Sequence, residues 1–219
     1  MRRTALISIA LVLFLSGPLF AQEWIDFLSR EDRFTCNFPD QPKVTETIYR
    51  SQHEADLPAR IYSATQGKSS YSLTVVDFNQ AQRILFEKAK SCPAGAEPCL
   101  GFPGDEGHWK ADVRGAIDYA SWQLMQRDAK LTLFVWSTID MVEGRQLQLT
   151  NNADKSRTFA GIYMHENRLY ILEGTVPAGY PAPGLFQQSL GWLDEKGNKI
   201  RYQSFYSNGF PAPPHRVVN

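Results

Sequence analysis

Period-two alternation of apolar and polar residues runs through both halves of the chain, and it constrains the fold more than any other feature of the sequence. In the first half, Phe34 to Phe38, Val44 to Tyr49, Ala59 to Ala64 and Tyr71 to Phe78 read as strands. In the second half, Leu131 to Ile139, Arg145 to Thr150, Arg157 to His165 and Arg168 to Val176 do the same. Between the halves the period lengthens. Asn79 stands where a helix cap is wanted, ahead of Ala81, Ile84, Leu85 and Ala89 at helical spacing, and Lys88 and Lys90 suit the C-terminal end of the dipole. Asp112 stands likewise ahead of Val113, Ile117, Ala120 and Leu124, in a helix that runs to about Arg127. A last helix, Gly184 to Leu193, would bury Phe186, Leu190 and Leu193 before a turn at Asp194 to Asn198 and a short strand from Lys199 to Gln203.

Short connections at Met141 to Gly144 and at Glu166-Asn167 suit hairpins, because Gly and Asn tolerate the positive φ of tight turns. Consecutive strands joined by short turns pair antiparallel. The order predicts an α+β fold: one antiparallel sheet of about eight to nine strands with two or three helices packed on it. With 43% apolar and 12% aromatic residues, the chain can fill one large core, so residues 22–203 read as a single domain and 204–219 as a proline-containing C-terminal tail.

The N-terminus carries a different message. Arg2 and Arg3 precede an uncharged apolar run from Ala5 to Leu15, a Gly17-Pro18 break and a small residue at Ala21. This is the pattern of a signal peptide over residues 1–21, cleaved after Ala21. The run is shorter than the roughly 20 residues that span a bilayer as a helix, so no membrane span remains after cleavage. The expected location is periplasmic or secreted. Cleavage removes only Arg2 and Arg3 from a chain with 23 basic and 23 acidic side chains, leaving it nearly neutral. Without clustered Lys and Arg, nucleic-acid binding is not expected.

An oxidising compartment makes Cys92 and Cys99, joined by Pro-Ala-Gly-Ala-Glu-Pro, the natural disulfide pair, worth about 2 to 3 kcal/mol in the chain-entropy model. Cys36 alternates with Phe34 and Phe38 on one strand face and reads as a small core residue. The segment Ser91 to Trp109 is longer than the connections usual in compact domains and carries Cys92, Cys99, Asp105, Glu106, His108 and Trp109. It is the candidate functional loop. Two thiols and an imidazole there would also suit a soft metal, but paired thiols bind none, so no metal or other cofactor is expected.

Motifs of known chemistry are missing. The sequence holds no G-x-S-x-G, no phosphate loop and no C-x-x-C, and His165-Glu166 lacks the second His of a zinc-protease motif because Leu169 occupies its place. His53 sits between polar neighbours as in a solvated turn. Trp109, Trp122, Trp136 and Trp192 lie in or beside expected elements and are assigned to the core rather than to a stacking platform. The Pro- and Tyr-containing stretch Val176 to Gly184 and the aromatic, proline-rich tail are shaped for contact as well as for turns.

Two stretches carry a resemblance. Phe34 with Phe38-Pro39-Asp40-Gln41-Pro42, and Arg168 to Leu172 followed by Phe186, Ser189-Leu190 and Asp194 to Gly197, are similar to the opening and closing segments of uncharacterised exported bacterial proteins. More remotely the layout resembles the PsbP-like α/β sandwiches, which implies an assembly or accessory role and no reaction. The expectation is thus an exported binding or accessory module without catalysis, with a protein partner in the cell envelope. The alternatives are an envelope enzyme with a lid at 91–109 using Asp105, Glu106 or His108 as acid and base, and a metal-binding protein using the same loop.

Overall fold

The structure is a computed structural model that describes residues 24–91 and 108–218. Its strands are β1 (Ile25–Ser29), β2 (Phe34–Phe38), β3 (Lys43–Arg50), β4 (Asp56–Gln66), β5 (Ser69–Asp77), β6 (Ala129–Ile139), β7 (Val142–Asn151), β8 (Arg157–His165), β9 (Arg168–Val176), β10 (Gly191–Leu193), β11 (Lys199–Tyr202) and β12 (His215–Val217). The helices are α1 (Ala81–Lys90), entered through a 3-10 turn at Phe78–Gln80, then α2 (Trp109–Met125) and the single turn α3 (Gly184–Gln187). The strands form two antiparallel sheets, one of seven in the order β3-β4-β5-β9-β8-β7-β6 and one of five in the order β1-β2-β10-β11-β12.

This corrects the expected α+β fold with one sheet. The described residues are mainly β, 49% strand against 19% helix, and form a second sheet that the expected single-sheet fold does not contain. The largest single difference is the last helix. It stops at Gln187, because the chain after Ser189 extends and pairs with β2, Gly191 opposite Thr35 and Trp192 opposite Phe34. Phe186, Leu190 and Leu193 are all buried, as a helix would have buried them, but through a turn followed by a strand. Tertiary pairing overrides the local period here. The tail also joins this sheet, β12 pairing with β11, while Tyr206 bridges to Val142 of β7 in the large sheet.

Two cores follow from the layering. On one face of the large sheet, α2 packs over β7, β8 and β9 and buries Val113, Ile117, Ala120 and Leu124 against Leu147, Ile162 and Ile171. On the other face, Phe34, Cys36, Phe38, Trp192 and Ile200 of the small sheet meet Tyr62, Leu73, Tyr163 and Tyr170. Strand β8, covered on both sides, is buried continuously from Thr158 to His165.

Helix and turn signals shift by a residue or two. Asp77, not Asn79, caps the first helical segment, its carboxylate accepting the Asn79 N–H at 2.9 Å. Asp112 lies inside the first turn of α2 rather than before it, and is buried. Glu166 and Asn167 both adopt positive φ, 46° and 58°, as a two-residue hairpin requires. The β6–β7 turn is Asp140-Met141, also at positive φ, and Ile139 pairs with Val142. Gly144, expected in that turn, sits within β7 instead, where a Cβ would lie 2.2 Å from the Ile162 carbonyl oxygen and 2.4 Å from the Tyr163 ring. No helix among the described residues is long and apolar enough to cross a membrane.

The face of α2 is open to test. Replacing Ile117 or Leu124 by Asp puts an unpaired carboxylate into the helix-side core, and the urea-derived unfolding free energy is expected to fall by several kcal/mol. A variant as stable as the parent would mean that the face is misassigned.

Candidate interaction surface at the β6 edge

Strand β6 ends the large sheet, paired on one side with β7 and on the other with nothing among the described residues. After Lys130 near its start, the rest of the strand, Leu131-Thr132-Leu133-Phe134-Val135-Trp136-Ser137-Thr138-Ile139, contains no charge. Leu131, Phe134 and Trp136 stand opposite Leu149, Leu147 and Arg145, so they belong to the face that carries α2. Leu133 and Val135 stand opposite Gln148 and Gln146, on the other face. Neither covering layer shields them. Leu147 is 1% exposed beneath α2, while its cross-strand neighbour Phe134 is 45% exposed. The small sheet reaches only the end of β6, where Trp192 donates its indole N–H to the Ile139 carbonyl at 3.1 Å.

Both faces of the edge are therefore apolar and open, with Trp136 53% exposed and its ring set edge-on to Phe205 at 5.7 Å. A register shift between Leu131 and Leu133 bends the strand without adding charge. The opposite edge of the same sheet is built differently. Strand β3 exposes Val44 and Ile48 but intersperses Lys43, Glu46 and Arg50, the usual protection of an edge against unwanted pairing. A long apolar edge without such protection is a template for another strand.

The assignment of all four tryptophans to the core was half right. Trp192 is buried, and Trp109 is half-buried at the start of α2. Trp136 lies on the edge, and Trp122 faces solvent from α2 with its ring stacked on Tyr119 at 5.7 Å. The run Leu133 to Trp136 gave no warning, since an unbroken apolar strand reads as covered on both faces. The useful signal was the missing charge, compared with β3.

Of the candidate loop, Cys92, Cys99, Asp105 and Glu106 lie outside the described residues. His108 and Trp109 open α2, and the His108 ring stacks on His53 with centroids 4.6 Å apart and planes 7° from parallel. His53, expected from its polar neighbours to lie in a solvated turn, is instead stacked on a second imidazole. Below it, Asp112 Oδ1 accepts the His53 backbone N–H at 3.3 Å, while Asp112 Oδ2 and Trp109 Nε1 find no partner among the described residues. Burial raises the Asp112 carboxyl above its usual range. Burial likewise pushes the His53 imidazole down, opposed by Asp112 and reinforced by His108. Among the described residues no three His, Cys, Asp or Glu side chains converge as a metal would need.

Two further groups are held inert by burial. Cys36 is fully buried, and its thiol is pushed up to about 12 by desolvation, against a weaker opposing contact with Ser189 Oγ at 3.4 Å. His165 is also fully buried, its Nε2 2.7 Å from the Tyr202 hydroxyl and its ring 4.7 Å from that of Trp192. Desolvation, with Arg168 and Arg33 nearby, lowers it to about 3.

No protein-family model matches the chain, and no curated protein is detectably similar to it in sequence.

Burial of His165 makes stability depend on pH. Above about 6.5 the imidazole is neutral in both states and has no effect; below it the unfolded chain takes up a proton that the folded core refuses. His165 should therefore remove about 1.4 kcal/mol of stability per pH unit as pH falls from about 6 to about 4. Urea unfolding across that range is expected to show this slope, and His165→Gln to flatten it. An equal slope in the variant would place the dependence elsewhere.

Proposed function

We propose that the protein is an exported binding or accessory module without catalysis that joins a protein partner in the cell envelope along the β6 edge. One observation carries this reading: the large sheet intersperses Lys43, Glu46 and Arg50 along its β3 edge, whereas β6 has a single charge, Lys130 near its start, and from Leu131 to Ile139 is uncharged with apolar side chains on both faces. Strand addition suits such a surface. The incoming backbone satisfies the open hydrogen-bonding groups of β6, and side chains on alternate faces meet Phe134 and Trp136 on one side and Leu133 and Val135 on the other. Phe205 extends the contact on the Trp136 side. The basic, then apolar, then small-residue N-terminus through Ala21 supports export.

A photoreactive side chain at Phe134 or Trp136 is expected to crosslink to another polypeptide in cells, and one at Ile48 on the β3 edge is not. Equal yields from both edges, or none from β6, would overturn the reading. Export is tested by intact mass. Protein recovered from the periplasm is expected to begin at Gln22 and, when denatured and alkylated without reductant, to take up one label at Cys36. Three labels would mean that Cys92 and Cys99 are not joined.

A further inference from the structure

We infer that the strand added to β6 is the β6 of a second copy of this chain, paired antiparallel about a two-fold axis. The inference rests on the reading of β6 as an interaction surface and names its occupant. An isologous contact places the same patch on both sides, so the patch must be complementary to itself. Leu131 to Ile139 meets that condition on charge, because with no ionic side chain in the segment no register confined to it sets like charges against each other, and Lys130 lies outside it.

Side-chain pattern selects the register. With the axis at Val135, Phe134 stands opposite the partner's Trp136, and Trp136 opposite the partner's Phe134. Both pairs lie on the face that carries α2, because their β7 neighbours Leu147 and Arg145 do. Aromatic cross-strand pairs are among the more stabilising in antiparallel sheets. On the opposite face, Val135 meets its own copy, and Leu133 meets the partner's Ser137. This register uses the residues of β6 on the C-terminal side of the shift between Leu131 and Leu133, where pairing with β7 is regular.

Area is adequate as well. Leu131, Leu133, Phe134, Val135, Trp136 and Phe205 together offer roughly 600 Å² of exposed surface per copy, before any backbone is counted, against about 800 Å² per partner in a standard interface. Other strand edges fit less well. Strand β3 carries three charges, and β12, at one edge of the small sheet, is three residues long.

Sedimentation equilibrium of the exported chain is expected to give the mass of two chains at micromolar concentration. Val135→Lys, which sets two ammonium groups against each other at the axis, is expected to raise the dissociation constant at least ~100-fold with an unchanged circular dichroism spectrum. Oxidised Val135→Cys is expected to form a dimer linked 135 to 135, and Ile48→Cys none. A monomer throughout the concentration range, or a Val135→Lys protein still dimeric, would overturn the inference. A monomer whose Phe134 photo-crosslinks lead to a different polypeptide would lose the second copy and keep the β6 surface; a monomer with no such crosslinks would lose both.

Discussion

The second sheet exists because segments from the two ends of the described chain pair with each other. Strand β10 lies along β2, Trp192 opposite Phe34, across a sequence separation that includes the whole large sheet. Closing so long a loop costs entropy before any contact is gained, so the pairing needs burial to hold it. Trp192 supplies much of that. Its indole packs at 4.7 to 6.4 Å from the rings of His165, Tyr170 and Tyr163, and its N–H is satisfied by Ile139. Trp192 thereby covers the aromatic rings of β8 and β9, while Trp24 and Phe186 cover Tyr71 of β5.

A buried charge ties the same two layers at the β1–β2 turn. Asp32 accepts two hydrogen bonds from Arg60 at 2.6 and 2.8 Å and one from the Tyr62 hydroxyl at 2.6 Å, while its backbone carbonyl accepts from Tyr170 at 2.7 Å. Ser29 completes the group, its Oγ accepting the Asp32 N–H at 3.1 Å. Apart from Ser29 at the end of β1, every partner comes from β4 and β9 of the large sheet. Replacing such a pair by apolar residues can be neutral, whereas removing one member leaves the other buried and unpaired. Loss of any one member would therefore strand the others, which ties the β1–β2 turn to β4 and β9.

What the sequence made legible follows from where each period was set. Strands β2, β8 and β9 were read with their observed limits, and the buried face of α2 was placed correctly, because core contacts on a fixed face impose the pattern directly. Strands β1, β10 and β12 were not read. Each has five residues or fewer, so little periodicity accumulates, and β10 in addition depends on β2, a partner distant in sequence. Phe186, Leu190 and Leu193 show the complementary failure: their spacing fits a helix, but β2 fixes the outcome. His53 and His108, far apart in sequence, meet only because the β3–β4 turn reaches the start of α2.

The edge strand illustrates the limit of pattern reading. Strands β6 and β8 both carry unbroken apolar runs, and only their position in the sheet separates an exposed surface from a double-sided core. That position is set by the topology. Because β9 takes the place beside β5, the β6–β7 hairpin is carried outward, past the reach of α2 on one side and of the small sheet on the other. Had β6 only to end the sheet, alternating Lys or Glu as on β3 would have sufficed and would have cost little. Its apolar side chains are instead displayed on both faces, and on that contrast with β3 the proposed strand addition rests.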